Sequence, residues 1–106
     1  RGKEILYSMK RPYELTFVLR VDPNEQVMKD NVAKVQSWVE VEETGKVNKI
    51  DTNHWGRRRL AYEIDGQREG YYVMMYADID TDNLEELDRN LKLSPFILRH
   101  LLIRPD

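Results

Sequence analysis

The side chains that could do chemistry in this chain are few. There are two histidines, His54 and His100, and neither stands at a recognisable ligand spacing from another metal-binding residue. The serines, Ser8, Ser37 and Ser94, fall in a terminus, a helix and a helix end, with no base at triad spacing. Cysteine is absent, which rules out thiolate chemistry and disulfides. The five glycines are dispersed, so no phosphate-cradling loop forms. Carboxylate pairs such as Asp78 with Asp80 and Glu85-Glu86 sit on a strand end and a helix surface, where capping and solubility explain them. No catalytic site, cofactor or metal site is expected.

What remains is cation and aromatic chemistry. Arg57-Arg58-Arg59 is the only run of three basic residues, with Trp55 before it and Tyr62 after it. Guanidinium groups bind phosphate in bidentate fashion and stack on bases, and Trp and Tyr rings offer stacking surfaces. Lys10-Arg11-Pro12-Tyr13 repeats the combination, and Arg99 to Arg104 forms a third basic segment. Net charge is −2, but its distribution is uneven. Of 19 acidic residues, six lie between Asp22 and Glu43 and six between Asp78 and Asp88, both helical stretches. The expected molecule has acidic helices and basic strand ends, an arrangement compatible with a nucleic-acid partner.

The elements that must position these residues follow from periodicity. Tyr13, Leu15, Phe17 and Leu19 alternate with Glu14 and Thr16, which predicts a strand. Asp22-Pro23-Asn24-Glu25 reads as a helix start, and Val27 or Met28, Val32, Val35, and Trp38 or Val39 keep helical spacing, which predicts a helix over 23–42 with Gly45 as its stop. Lys46 to Asn53 alternates as a strand, with Val47, Lys49 and Asp51 on one face and Lys46, Asn48 and Ile50 on the other. Gly56 interrupts it at a bulge or bend. The strand then resumes with Arg58, Leu60, Tyr62 and Ile64 on one side and Arg57, Arg59, Ala61 and Glu63 on the other. Asp65-Gly66 is a hairpin signal inside a turn over 65–70. The return strand, Tyr71 to Ile79, directs Val73, Met75, Ala77 and Ile79 to the core and Tyr72, Met74 and Tyr76 the other way. Asp80 to Asn83 opens a second helix with Leu84, Leu87 and Leu91 in register, ended by Ser94-Pro95. Phe96 to Ile103 is short and apolar, and is expected to be a well-buried last strand.

A chain of 106 residues suits one domain. The order β-α-β-β-α-β predicts an α+β, ferredoxin-like domain over 9–106, a four-stranded antiparallel sheet with both helices on one face and the other face open. Residues 1–8 read as an extension of uncertain order. They lack the apolar core of a signal peptide, and no apolar run approaches the ~20 residues of a membrane span, so a cytoplasmic setting without membrane contact is expected.

Two families share this topology but not the motifs. Acylphosphatase needs a Gly-containing loop ending in Arg after the first strand. Here Leu19-Arg20-Val21-Asp22-Pro23 offers Arg20 without the loop. The RNA-recognition motif needs a basic residue and a small one in its third strand. Here Glu69-Gly70-Tyr71-Tyr72 places Glu69 and Tyr72 instead. The chain from Met9 to Arg104 resembles bacterial small-subunit ribosomal protein six, through Arg11-Pro12-Tyr13-Glu14, Trp55-Gly56-Arg57-Arg58-Arg59-Leu60-Ala61-Tyr62, Glu69-Gly70-Tyr71-Tyr72 and Leu98-Arg99-His100-Leu101. That resemblance implies a non-enzymatic ribosomal protein that binds the central domain of small-subunit ribosomal RNA together with ribosomal protein eighteen, with no small-molecule substrate. Carried over, it makes Lys10, Arg11, Tyr13, Arg99 and Arg104 the RNA-facing candidates and Tyr72, Met74 and Tyr76 the protein-interface candidates. Trp55 and Arg57 to Arg59 face RNA or the partner, an alternative the sequence leaves open.

Overall fold

A computed structural model describes residues 10–105, apart from the side chains of residues 53–55. Six elements follow in order: β1 (Lys10–Leu19), α1 (Glu25–Val39), β2 (Gly45–Ile64), β3 (Gln67–Asp80), α2 (Leu84–Leu93) and β4 (Ile97–Ile103). The strands form one sheet in the order β2-β3-β1-β4, every pairing antiparallel. This is the expected ferredoxin-like architecture. The extension over 1–8 lies outside the described residues.

The core lies where the alternation of β1 and β3 puts it. Leu15, Phe17 and Leu19 face the same side as Val73, Met75, Ala77 and Ile79, and Met28, Val35, Val39, Leu87 and Leu91 of the helices close over them. The side chains opposite each other in an antiparallel pair share a face, so the register Phe17↔Val73 and Leu15↔Met75 builds that layer directly. Pro12 falls inside β1. Pairing with β4 starts only at Glu14, so Pro12 has β3 as its single neighbour, and its missing N–H removes no bond to β4.

Helix α1 is shorter than the 23–42 expected from spacing. Its N-cap is Asn24, whose side chain accepts from the Gln26 amide at 2.9 Å, while Asp22 accepts from the Asn24 amide at 2.8 Å and shapes the approach. At the other end, Glu42 and Glu43 take positive φ values of 49° and 62° within a short 3-10 turn, so the reversal is made two residues before Gly45. Gly45 is required for a different reason: a Cβ there would sit 2.3 Å from the Val39 carbonyl oxygen. Close approach of β2 to the helix end, not a left-handed turn, selects glycine.

Strand β2 departs most from simple alternation. Val47 opposes Ala77, yet Lys49 opposes Tyr76, so Asn48 is an extra residue. This bulge reverses the faces beyond it, and Ile50 lands opposite Met75, on the side of Val47. A second irregularity lies between Asp51 and Gly56, whose φ of +57° needs glycine, as the break in the pattern predicted. The hairpin turn is only Asp65-Gly66, with φ of 50° and 78°, and β3 begins at Gln67 rather than Tyr71. Both angles positive is the turn whose twist suits adjoining strands.

Helix α2 matches its predicted spacing, entered through a 3-10 turn in which Asp80 accepts from the Asp82 amide at 2.9 Å. The expectation of a well-buried β4 is corrected. It is an edge strand with β1 as its only neighbour, and its alternate residues face away from the helices, leaving Leu101 57% exposed. Only Ile97 and Leu102 of β4, with Phe96 before it, pack on the core.

Candidate nucleic-acid and protein interface

The open face of the sheet is built from the residues that alternate with the core. From β3 it takes Tyr72, Met74 and Tyr76; from β1, Glu14, Thr16 and Val18; from β4, Arg99, Leu101 and Ile103, which oppose Val18, Thr16 and Glu14. Tyr72, Met74 and Tyr76 are each half-buried. Thr16 donates its hydroxyl to the Met74 sulfur at 3.2 Å, and the Lys49 ammonium lies 5.6 Å from the centre of the Tyr76 ring. An apolar and aromatic surface edged by cations is thus already ordered without a partner.

Gly70 determines how the hairpin meets this face. A Cβ on it would lie 2.3 Å from Cγ1 of Val18 and 3.3 Å from Cδ2 of Leu60. With no side chain at Gly70, Leu60 of β2 reaches across β3 towards Val18 of β1, and both are buried on the side away from the helices. The same closeness lets Tyr62 and Arg99 meet although their strands are at opposite edges of the sheet. The Arg99 guanidinium lies 5.9 Å from the ring centre, and its Nη1 donates to the Tyr62 hydroxyl at 3.3 Å. Tyr62 is 62% exposed, so it belongs to this surface, whereas Tyr13, with the same strand alternation, is 9% exposed and packs in the core.

The other candidates divide between the two ends of the sheet. Lys10 and Arg11 oppose Asp80 and Ile79 at the start of β1, and Arg104 follows β4, whose last residue opposes Glu14 of the same strand. These three form one basic end. Arg57, Arg58 and Arg59 sit near the β2–β3 turn, at the other end, and they do not share a face. Arg58 opposes Gly70 on the open side; Arg57 opposes Tyr71, which packs on the core, and Arg59 opposes Glu69. The Arg57 Nε donates to Glu69 at 2.7 Å. The side chains of His54 and Trp55 lie outside the described residues.

Two polar clusters that sequence reasoning passed over hold the elements in place. Arg20 pairs with Asp65 of the hairpin turn and donates from Nε to the Pro95 carbonyl at 2.7 Å, while its backbone amide donates to the Phe96 carbonyl at 2.9 Å. It therefore ties the end of β1 to the turn and to the entry of β4, and its guanidinium is occupied structurally. His100, on the helix side of β4, hydrogen-bonds the Asp88 carboxylate at 2.8 Å, and Lys92 lies 2.9 Å from the same group. Those two bonds, His100 first, hold the Asp88 carboxyl below its ordinary value. His100 thus anchors α2 to β4.

Comparison with known proteins assigns the chain. The family model described as Ribosomal protein S6 matches residues 12–104. The chain belongs to the ribosomal protein S6 family. It is 40% identical to the small ribosomal subunit protein bS6 of Alkaliphilus metalliredigens over 92 residues, 87% of this chain and 94% of that one. Against bS6 of Carboxydothermus hydrogenoformans the identity is 39% over 98 residues, covering 92% and 99%. The crystal structure of 30S ribosomal protein S6 from Thermotoga maritima superposes with a TM-score of 0.80 at 31% identity, covering 91% of this chain and 88% of the other. The Gly56 and Gly70 constraints, the Arg triplet and Tyr72 all fall inside the matched span.

Proposed function

We propose that this member of the S6 family is a structural, non-enzymatic protein of the small ribosomal subunit that binds small-subunit ribosomal RNA, in its central domain, together with ribosomal protein eighteen. Its place in the small subunit of the cytoplasmic ribosome follows from the family match across residues 12–104. RNA contact is assigned to the basic end formed by Lys10, Arg11 and Arg104, and to Arg99, which opposes Val18 towards the hairpin end of the sheet; Tyr13 supports the basic end from within the core. The partner protein is assigned to Tyr72, Met74 and Tyr76. The observation that supports this division is that Lys10, Arg11 and Arg104 gather at one end of the sheet, while Tyr72, Met74 and Tyr76 share the open face with the exposed Leu101 and Ile103.

Physics then predicts how the chain binds. With a net charge of −2, the isolated protein has little long-range attraction for a polyanion. It binds RNA weakly alone and tightly once the partner covers the open face and supplies further contacts. No helix among the described residues is long and apolar enough to cross a membrane. The test is co-purification with small-subunit RNA at moderate salt, with and without ribosomal protein eighteen. Tight, salt-sensitive binding of the isolated chain would overturn the need for a partner.

A second reading rests on the exposed Leu101 and Ile103 beside Tyr72 and Met74: a protein-interaction module that self-associates through its open sheet. A clean homodimer by light scattering, with no RNA retained, would favour it.

A further inference from the structure

The Arg triplet is split by the sheet, and the split has a chemical meaning. Arg57 and Arg59 line a cleft of about 650 Å³ together with Gln67, Arg68 and the carboxylate of Glu69; Val21 and Pro23, from the connection between β1 and α1, complete its lining. Arg58, one residue from each, is not part of it and faces the open side. We propose that this cleft is a second phosphate-binding site, one that grips the backbone of a ribosomal RNA strand at the hairpin end of the molecule, away from the Lys10 and Arg104 end. The inference rests on the RNA-binding reading above and assigns part of the triplet to RNA.

Three features support it. Residues two apart in a strand point the same way about 6.8 Å apart, from a rise of ~3.4 Å per residue. Arg57 and Arg59 therefore present guanidiniums at a repeat comparable with that of successive phosphates along a strand. Next, the internal ion pairs are of the kind that yields. Arg57 and Arg68 bond Glu69 and Glu63 through Nε, at 2.7 and 3.3 Å, which leaves the terminal nitrogens of each guanidinium free of those bonds. The side chains are 65% and 80% exposed, so the pairs are weak and a phosphate can displace or share them at little expense. Arg59 is exposed and has no ion pair among the described residues. Lastly, the cleft lining includes no aromatic ring on which a base could stack. It suits the backbone and not the bases, so contact there positions the RNA without reading its sequence.

The test uses the full chain with saturating partner protein and small-subunit RNA, and compares wild type with Arg57→Gln/Arg59→Gln and with Arg58→Gln. RNA affinity is measured across a salt series, and affinity for the partner protein is measured separately. The double variant should lower the salt slope by roughly 1.4 to 1.8, about 0.7 to 0.9 for each phosphate no longer neutralised, and weaken binding about tenfold at moderate salt. Arg58→Gln should leave the slope unchanged, and the double variant should leave partner affinity as it is. If wild type itself retains no RNA, the proposed function fails and this site with it. If wild type binds and the double variant keeps its slope, the cleft assignment alone is overturned. Weakened partner affinity with an intact slope would make the cleft a protein interface and equally overturn it.

Discussion

The two faces of the sheet are made by the same strands, one residue out of step, and they do different work. On β3, Val73, Met75 and Ile79 are fully enclosed under the helices, while Tyr72, Met74 and Tyr76 beside them are only half covered. A sheet with one solvated face ordinarily places polar residues there. Here both registers of β3 are apolar or aromatic from Tyr71 to Ala77, the pattern of a sheet meant to be covered twice. One cover is internal and holds the fold. The other is missing from the isolated chain, and the family's place in a ribonucleoprotein particle explains why it can be left to a partner.

That contrast can be broken by substitutions of similar size on opposite faces. Phe17→Ala, in the closed layer, should cost about 3–5 kcal/mol, read as a lower urea midpoint of the isolated chain. Met74→Ala on the open face should cost well under half of that in the same measurement. Equal losses would mean that the open face is already part of the folding core. Gly70→Ala tests the join between the faces, because its Cβ would meet Cγ1 of Val18 at 2.3 Å. A destabilisation of about 1–3 kcal/mol is expected, the usual range for overpacking, together with a disturbed Tyr62–Arg99 pair seen in tyrosine and arginine side-chain NMR shifts. Tyr72→Ala should barely alter the urea midpoint yet weaken association with the partner protein about tenfold, equivalent to ~1.4 kcal/mol, measured by calorimetry.

The smallest effect concerns the helix side of β4. The Asp88 carboxyl is held below its ordinary value of 3.8 by His100 and Lys92. A depressed folded pKa gives stability that is present above the unfolded value and is lost as pH falls through the folded one. Wild type should therefore lose stability as pH drops below 3.8, and Asp88→Asn should flatten that part of the curve while lowering stability slightly at neutral pH. The Asp88 side chain is 43% exposed, so solvent screens the effect. An unchanged acid slope, read by thermal unfolding across pH, would show that the His100–Asp88 bond does not couple α2 to β4.

Much of this was legible in the chain, because local rules and tertiary structure agree there. Leu84, Leu87 and Leu91 announce α2, the β3 alternation separates Val73 from Tyr72, and Asp65-Gly66 selects its turn. The rest depends on pairing between distant segments. Nothing local marks Asn48 as an extra residue, yet it decides which face Ile50 joins. Tyr13 and Tyr62 look alike in pattern; one is central and roofed by helices, the other lies beyond Gly56 on the open face. Arg20 is an isolated cation in sequence, and only the meeting of the hairpin turn with the β4 entry gives it its partners. The division of Arg57 and Arg59 from Arg58 was readable as alternation, but which side carried the cleft was not.

The central claim is that the open face and the basic ends act together in one ribonucleoprotein assembly. Its most direct measurement is reconstitution of the full chain with small-subunit ribosomal RNA at moderate salt, with and without ribosomal protein eighteen, followed by light scattering and RNA footprinting. A stable complex holding one copy of each protein on the RNA, with weak retention of this chain when the partner is left out, is the predicted result. A homodimer that covers the open sheet by itself and leaves the RNA unprotected would contradict it.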